Sequence, residues 1–195
     1  MFLLSYANLP VSSLVNPRIF DRPNSPLPAP VYSPWKPYRA LVMVLVFHLI
    51  GTTWGKHLAW HGANLDLPFC CALCLALLGG WQVGAWAGGL AGILLMWTVW
   101  QNPGSLLFSR LLPCILAGFL SARLPPLHPF VPPLAGALGA IIADCAFILL
   151  SPSSMPFKFW FDHAPHFALL QALMMWPVML CVVRVAKTRK RLLFD

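Results

Sequence analysis

Apolar residues fall in six blocks along the chain, at 38–54 (with an extension to Trp60), 67–81, 84–100, 106–122, 130–150 and 166–184. Short polar or proline-bearing breaks separate them. None of the blocks alternates polar and apolar positions, as the strands of a membrane barrel do. A bilayer-crossing backbone must satisfy its own hydrogen bonds, so each block reads as a helix. The pattern predicts an all-α, polytopic bundle of six transmembrane helices over residues 39–186. Several blocks fall short of the ~20 residues a full span needs. Trp35, Trp54, Trp60, Trp81, Trp100 and Trp160 lie near the block ends, where an aromatic belt would put them. The break at Gly79-Gly80 has no charge in it and is the weakest of the boundaries.

Within the charge-free stretch 67–100, Gly80, Gly84, Gly88 and Gly92 recur every fourth residue. On a helix that spacing puts all four on one face. In water each glycine costs about 1 kcal/mol of helix stability relative to alanine. In lipid, small residues let two helix backbones approach closely. The ridge is therefore expected to be a helix-packing surface, within the bundle or against a partner's span.

Composition supports the membrane reading. Of 195 residues, 59% are hydrophobic and 9% charged, and the mean hydropathy is +0.74. A soluble domain carries about 25% charged residues. The net charge of +8 would suit nucleic acid, but its placement does not. Arg18, Arg22, Lys36 and Arg39 precede the first block, and Arg184, Lys187, Arg189, Lys190 and Arg191 follow the last. Basic flanks of apolar spans read as cytoplasmic anchors that attract anionic lipid. The expected partner is thus a bilayer, with no nucleic acid. Six spans bring both termini to one side, so both are expected in the cytoplasm, with the loop holding Arg123. The loops with Lys56 and Asp66, and with Lys158 and Asp162, then face outward. Residues 1–38 contain eight of the twenty prolines and read as a proline-rich cytoplasmic tail that cannot be helical. Residues 187–195 form a basic cytoplasmic tail. The loop at 124–133, with five prolines, should be stiff, and the aromatic loop at 151–165 is expected on the membrane surface.

Candidate chemistry is sparse. His48, Arg110 and Asp144 are ionisable residues inside predicted spans, where an unpaired charge costs about 2.5–3.5 kcal/mol or more. Counting from the outer ends of their helices, Arg110 and Asp144 sit within roughly 3 Å of the same depth. That predicts a buried Arg110–Asp144 ion pair, or a polar ligand site beside it. His48 is alone in its helix and reads as a hydrogen-bonded core residue, with a ligand contact as the alternative. Cys70 and Cys74 share a helix face beside Cys71. They read as small buried hydrophobes, with a soft-metal or cobalt-corrinoid ligand as the sharper alternative. No matching second pair supports a zinc site. Asp162, His163 and His166 are metal-ligand types in close order but lack a fourth partner. No metal, cofactor or catalytic residue is expected. Five acidic residues in all leave little material for acid–base catalysis, and an enzyme is not expected.

The stretch Leu65-Asp66-Leu67-Pro68, the glycines Gly84, Gly88, Gly89 and Gly92 followed by Ile93-Leu94-Leu95, the fourth block with Ala117-Gly118, and a last block closing on Arg184 resemble the rod-shape-determining MreD family over residues 40–190. Met96 stands where that family usually has an acidic residue. The resemblance implies a non-enzymatic scaffold of the bacterial cell-shape (elongation) machinery in the inner membrane. Its partners would be a single-span MreC-like protein, the actin-like filament protein MreB and the peptidoglycan synthases. The chain is also similar, in size and helix pattern, to the substrate-binding S-components of energy-coupling-factor vitamin transporters. That likeness implies a transport module as partner and a small vitamin, for example cobalamin, bound in the outer half of the bundle. Arg110, Asp144, Trp100, His48 and the cysteines Cys70, Cys71 and Cys74 would then be ligand contacts.

Overall fold

The computed structural model describes residues 37–58, 64–99, 102–151 and 157–191. Most of the proline-rich tail, and Trp35, Trp60 and Trp100, lie outside them. Among the described residues there are five α-helices and no strand: α1 (Pro37–Trp54), α2 (Leu67–Thr98), α3 (Pro103–Leu120), α4 (Val131–Leu150) and α5 (Phe157–Arg191), with a 3-10 turn at Gly55–Leu58 after α1. Four of these, α2 to α5, are long and apolar enough to cross a membrane, and α1 is a shorter apolar helix. Their outward faces carry large apolar side chains. Trp97 is 77% exposed and Leu149 82%, as suits a surface solvated by lipid rather than water. The chain has the build of an integral membrane protein.

The helix starts follow local chemistry. Asp66 caps α2: its Oδ1 accepts from the Phe69 backbone N–H at 3.1 Å, and Pro68 occupies the first turn, where its missing donor is harmless. Pro103 opens α3, and prolines open α4. The stiff 124–133 loop therefore ends early, because Pro132 and Pro133 already belong to α4. The aromatic loop expected at 151–165 is also shorter than predicted, since α5 begins at Phe157 and Pro165 lies inside it. A proline removes one helical donor but is tolerated where neighbouring helices hold the segment.

Six separate helices are not what the structure contains, because the expected second and third segments form one element, α2. They are nonetheless set apart by backbone geometry. Gly80 has φ +81 and ψ −175 inside α2, a conformation open essentially to glycine alone. The chain reverses there. A Cβ at Gly84 would lie 2.9 Å from Ala76 Cβ, and one at Gly79 would lie 2.8 Å from Val83 Cβ. Residues eight apart on a continuous helix are ~12 Å apart. α2 is thus a hairpin of a first arm (67–79) and a second arm (81–98).

The glycine ridge then divides in two. Gly80 makes the turn, while Gly84, Gly88 and Gly92 make the packing. A Cβ at Gly84 would meet Cys114 O at 2.5 Å, one at Gly88 would meet Arg110 O at 2.9 Å, and one at Gly92 would meet Leu107 Cα at 2.9 Å. Rising positions on the second arm meet falling positions on α3, so the two run antiparallel. Gly118 continues the contact against the backbone of Trp81. The ridge is consumed by contact with α3 inside the chain.

The first arm is the core. Every residue from Leu67 to Leu78 is buried. Cys70 Sγ donates to Gln171 Oε1 and Cys74 Sγ lies 3.8 Å from Met175 O, so this arm runs parallel to α5. α4 closes the core antiparallel to α5: Gly136 lies against Met175 and Gln171, and Ala140 packs with Phe167 and Ala168. α1 ends beside the start of α2, with Gly51 against Leu67 and Pro68. These directions gather the end of α1, both ends of the α2 hairpin, and the start of α3 at one end of the bundle. Asn102 before α3 donates to Ser151 after α4, which brings the end of α4 there too. The Gly80 turn, the Arg123 loop and the C-terminal half of α5 lie at the other end.

Candidate functional site

The helix ends gathered around Asp66 enclose a cleft of about 550 Å³, within the roughly 300–1,000 Å³ typical of small-molecule sites. Its charged and imidazole lining is Asp66, Arg110, Asp144, His48 and His163; Thr52, Thr98 and Asn64 add neutral polar groups, and its apolar walls include Leu65, Leu95 and Phe167.

Arg110, on the second turn of α3, has its guanidinium fixed from several directions. Its Nε donates to Asp66 Oδ2 at 2.8 Å, and Nη1 reaches Ser109 Oγ at 3.4 Å. The guanidinium carbon lies 4.9 Å from the ring centre of Phe69 and 5.9 Å from that of Phe167, within cation–π range. The ion pair is largely shielded, with Arg110 and Asp66 side chains 12% and 11% exposed. A desolvated, geometrically fixed pair of this kind is stronger than a surface one.

The predicted pairing of Arg110 with Asp144 is therefore corrected: Arg110 is bonded to Asp66. Arg110 and Asp144 do line the same cleft. Counting depth along the helices leaves out the start of α2: Asp66, expected in an outward-facing loop, instead caps the buried first arm. An acidic residue two positions before a proline and directly before an apolar run is an N-cap signature, and that signal could have found it.

Asp144, on α4, lines the same cleft. Its Oδ2 is buried and has no hydrogen-bond partner. Arg110 and His163 are the basic side chains within electrostatic reach of it. His163, from the first turns of α5, stacks on Phe167 with ring centres 6.1 Å apart. It lines the cleft, although its neighbours in sequence mark it only as a metal-ligand type. His166 instead turns its Nδ1 to the Asp162 carbonyl at 2.8 Å. Among the described residues no three His, Cys, Asp or Glu side chains gather as a metal group would.

The other candidates divide cleanly. His48 lines the cleft. Cys70, Cys71 and Cys74 do not; they are buried free thiols of the first arm, two of them facing α5. Trp100 lies outside the described residues. Gly84, Gly88 and Gly92 sit behind the cleft and hold Arg110's helix against the second arm.

The cleft thus offers a paired cation, a second carboxylate, two imidazoles, two hydroxyls, an amide and an aromatic wall. No family model matches the chain, and neither a curated protein nor a solved structure matches it.

Proposed function

We propose that the protein is a non-enzymatic, ligand-binding membrane protein of a bacterial inner membrane, working as the substrate-capture subunit of an uptake system, as S-components do. The observation that carries the reading is Asp144 Oδ2, a buried acceptor without a partner in a cleft of ligand size. Buried polar groups are normally satisfied, and an exception calls for a functional account. Ionisable side chains at membrane depth mark binding or transport pathways by default.

The reversal at Gly80 supports six arms that alternate in direction through the bundle: α1, the two arms of α2, and α3 to α5. With alternating directions, both termini lie on one side. Arg39, Arg123, Arg184, Lys187, Arg189, Lys190 and Arg191 belong to that end, against Lys56, Arg110 and Lys158 at the cleft end. The positive-inside rule then assigns the basic end to the cytoplasm and turns the cleft outward, where an imported solute arrives. The test is purification in mild detergent followed by mass spectrometry of the denatured sample. A stoichiometric small molecule, lost on mutating cleft residues, supports capture. A chain that carries no ligand and gains no thermal stability from any compound of a solute library overturns it.

A second reading, the MreD-like scaffold, is favoured by one observation. The residues that carry that resemblance set the architecture: Asp66 caps α2 and holds Arg110, and Gly84, Gly88, Gly92 and Gly118 make the close contact between α2 and α3. On this reading the protein binds an MreC-like single-span partner and the synthases, and its depletion rounds the cells. Unchanged cell shape on depletion removes it.

A further inference from the structure

The chemistry of the cleft selects among ligands. Asp66 and Arg110 neutralise one another at 2.8 Å. The guanidinium is held by Asp66 and Ser109 and lies over Phe69 and Phe167, so it is not poised to turn to Asp144. Asp144 is left as the acidic group in excess, and its inner oxygen has no donor. A carboxylate removed from water needs a donor or a counter-charge. The cleft volume of about 550 Å³ is far more than a bare ion fills. Leu65, Pro68, Leu95 and Phe167 supply apolar and aromatic surface for an organic body.

We infer that the cleft binds a small organic cation bearing an N–H donor, a primary or secondary ammonium or an amidinium, seated on Asp144 with its apolar portion against Phe167 and Leu95. The cation brings the carboxylate of Asp144, which lines the cleft and has no hydrogen-bond partner at its inner oxygen, a counter-charge and an N–H donor. His48 and His163, facing the same space, supply further polar contacts. The inference rests on the cleft being a binding site and adds the sign and donor character of what it takes.

The experiment uses the full chain in nanodiscs and four probes of similar shape: benzylammonium, benzyl alcohol, benzoate and benzyltrimethylammonium. Thermal unfolding midpoints are read across concentration. Benzylammonium is expected to act at a concentration at least tenfold below the other three, because only it combines positive charge with N–H donors. Asp144→Asn is expected to abolish that preference. Since both benzylammonium and its trimethyl analogue partition into lipid as cations, the comparison within wild-type protein stands even if the variant is unstable. If benzoate or benzyl alcohol acts at equal or lower concentration, the cation inference fails and the binding site survives. If the trimethyl analogue matches benzylammonium, the donor requirement fails. If no probe shifts the midpoint, the inference fails, while the ligand-capture reading falls only if the purified chain also carries no ligand and no solute of the library stabilises it.

Discussion

Asp66 holds two structures at once: one carboxylate oxygen caps α2 at the Phe69 N–H, and the other binds Arg110 Nε at 2.8 Å on α3. Because the side chain is shared, its removal has two separable effects. Loss of a cap costs about 1 kcal/mol, and stranding a buried partner about 3–5 kcal/mol. Asp66→Ala is therefore expected to lower the unfolding midpoint in detergent sharply. Asp66→Asn, which keeps a capping oxygen, should lose less. Adding Arg110→Met to Asp66→Ala should recover part of the loss, because the stranded charge is gone. A double variant less stable than both single variants would show that the pair is not what links α2 to α3.

Asp144 has the opposite standing. An ion-paired aspartate would be missed on replacement by asparagine, but this one has a buried oxygen with no partner. Asp144→Asn in ligand-free protein is expected to leave the midpoint unchanged or raise it by a few degrees, since sites shaped for ligands often sacrifice stability. A fall comparable to that of Asp66→Ala would mean that Asp144 is held by an internal partner.

The glycines sort by what a methyl group would meet. At Gly84 and Gly88 it would run into α3 backbone at 2.5 and 2.9 Å, and backbone cannot step aside as a side chain can. Overpacking of this kind costs about 1–3 kcal/mol. Gly104, also helical, has nothing within 4 Å. Gly84→Ala and Gly88→Ala should each lower the melting temperature, and Gly104→Ala should hold or raise it. Equal behaviour of all three would refute close packing of α2 on α3.

Gly80 separates conformation from space. Nothing lies within 4 Å of where its Cβ would be, yet φ is +81. Gly80→Ala is thus expected to destabilise by backbone strain alone, about 1–3 kcal/mol, without any clash. Hydrogen exchange should then quicken first at residues flanking the turn. Unchanged stability would mean that the hairpin can turn without this conformation.

The sequence carried much of this architecture and little of its site, for identifiable reasons. Apolar blocks bounded by proline, asparagine and aspartate read directly as helices, and the four-residue glycine spacing announced a close helix contact. The turn at Gly80 was legible only as a weak boundary. A glycine inside an apolar run looks the same whether it packs a neighbour or reverses the chain, and φ decides which. Arg110 and Asp144 were placed in one layer from depth alone. Depth does not say which side chains face each other around a bundle, so Asp66 and His163 stayed hidden. The thiols of Cys70, Cys71 and Cys74 read as small buried hydrophobes before they read as ligands, and the first arm does bury all three.

That first arm has a consequence for how the protein is made. From Leu67 to Leu78 it is walled in on every side, and at about 18 Å it is too short to bridge a bilayer by itself. Its sheath includes α4 and α5, which are synthesised after it. The nascent chain must therefore bring this segment into the membrane as half of a folded loop and leave it partly unsheathed until α5 has been made. A chain stopped before α5 would leave Cys70 and Cys74, which face Gln171 and Met175, open to lipid.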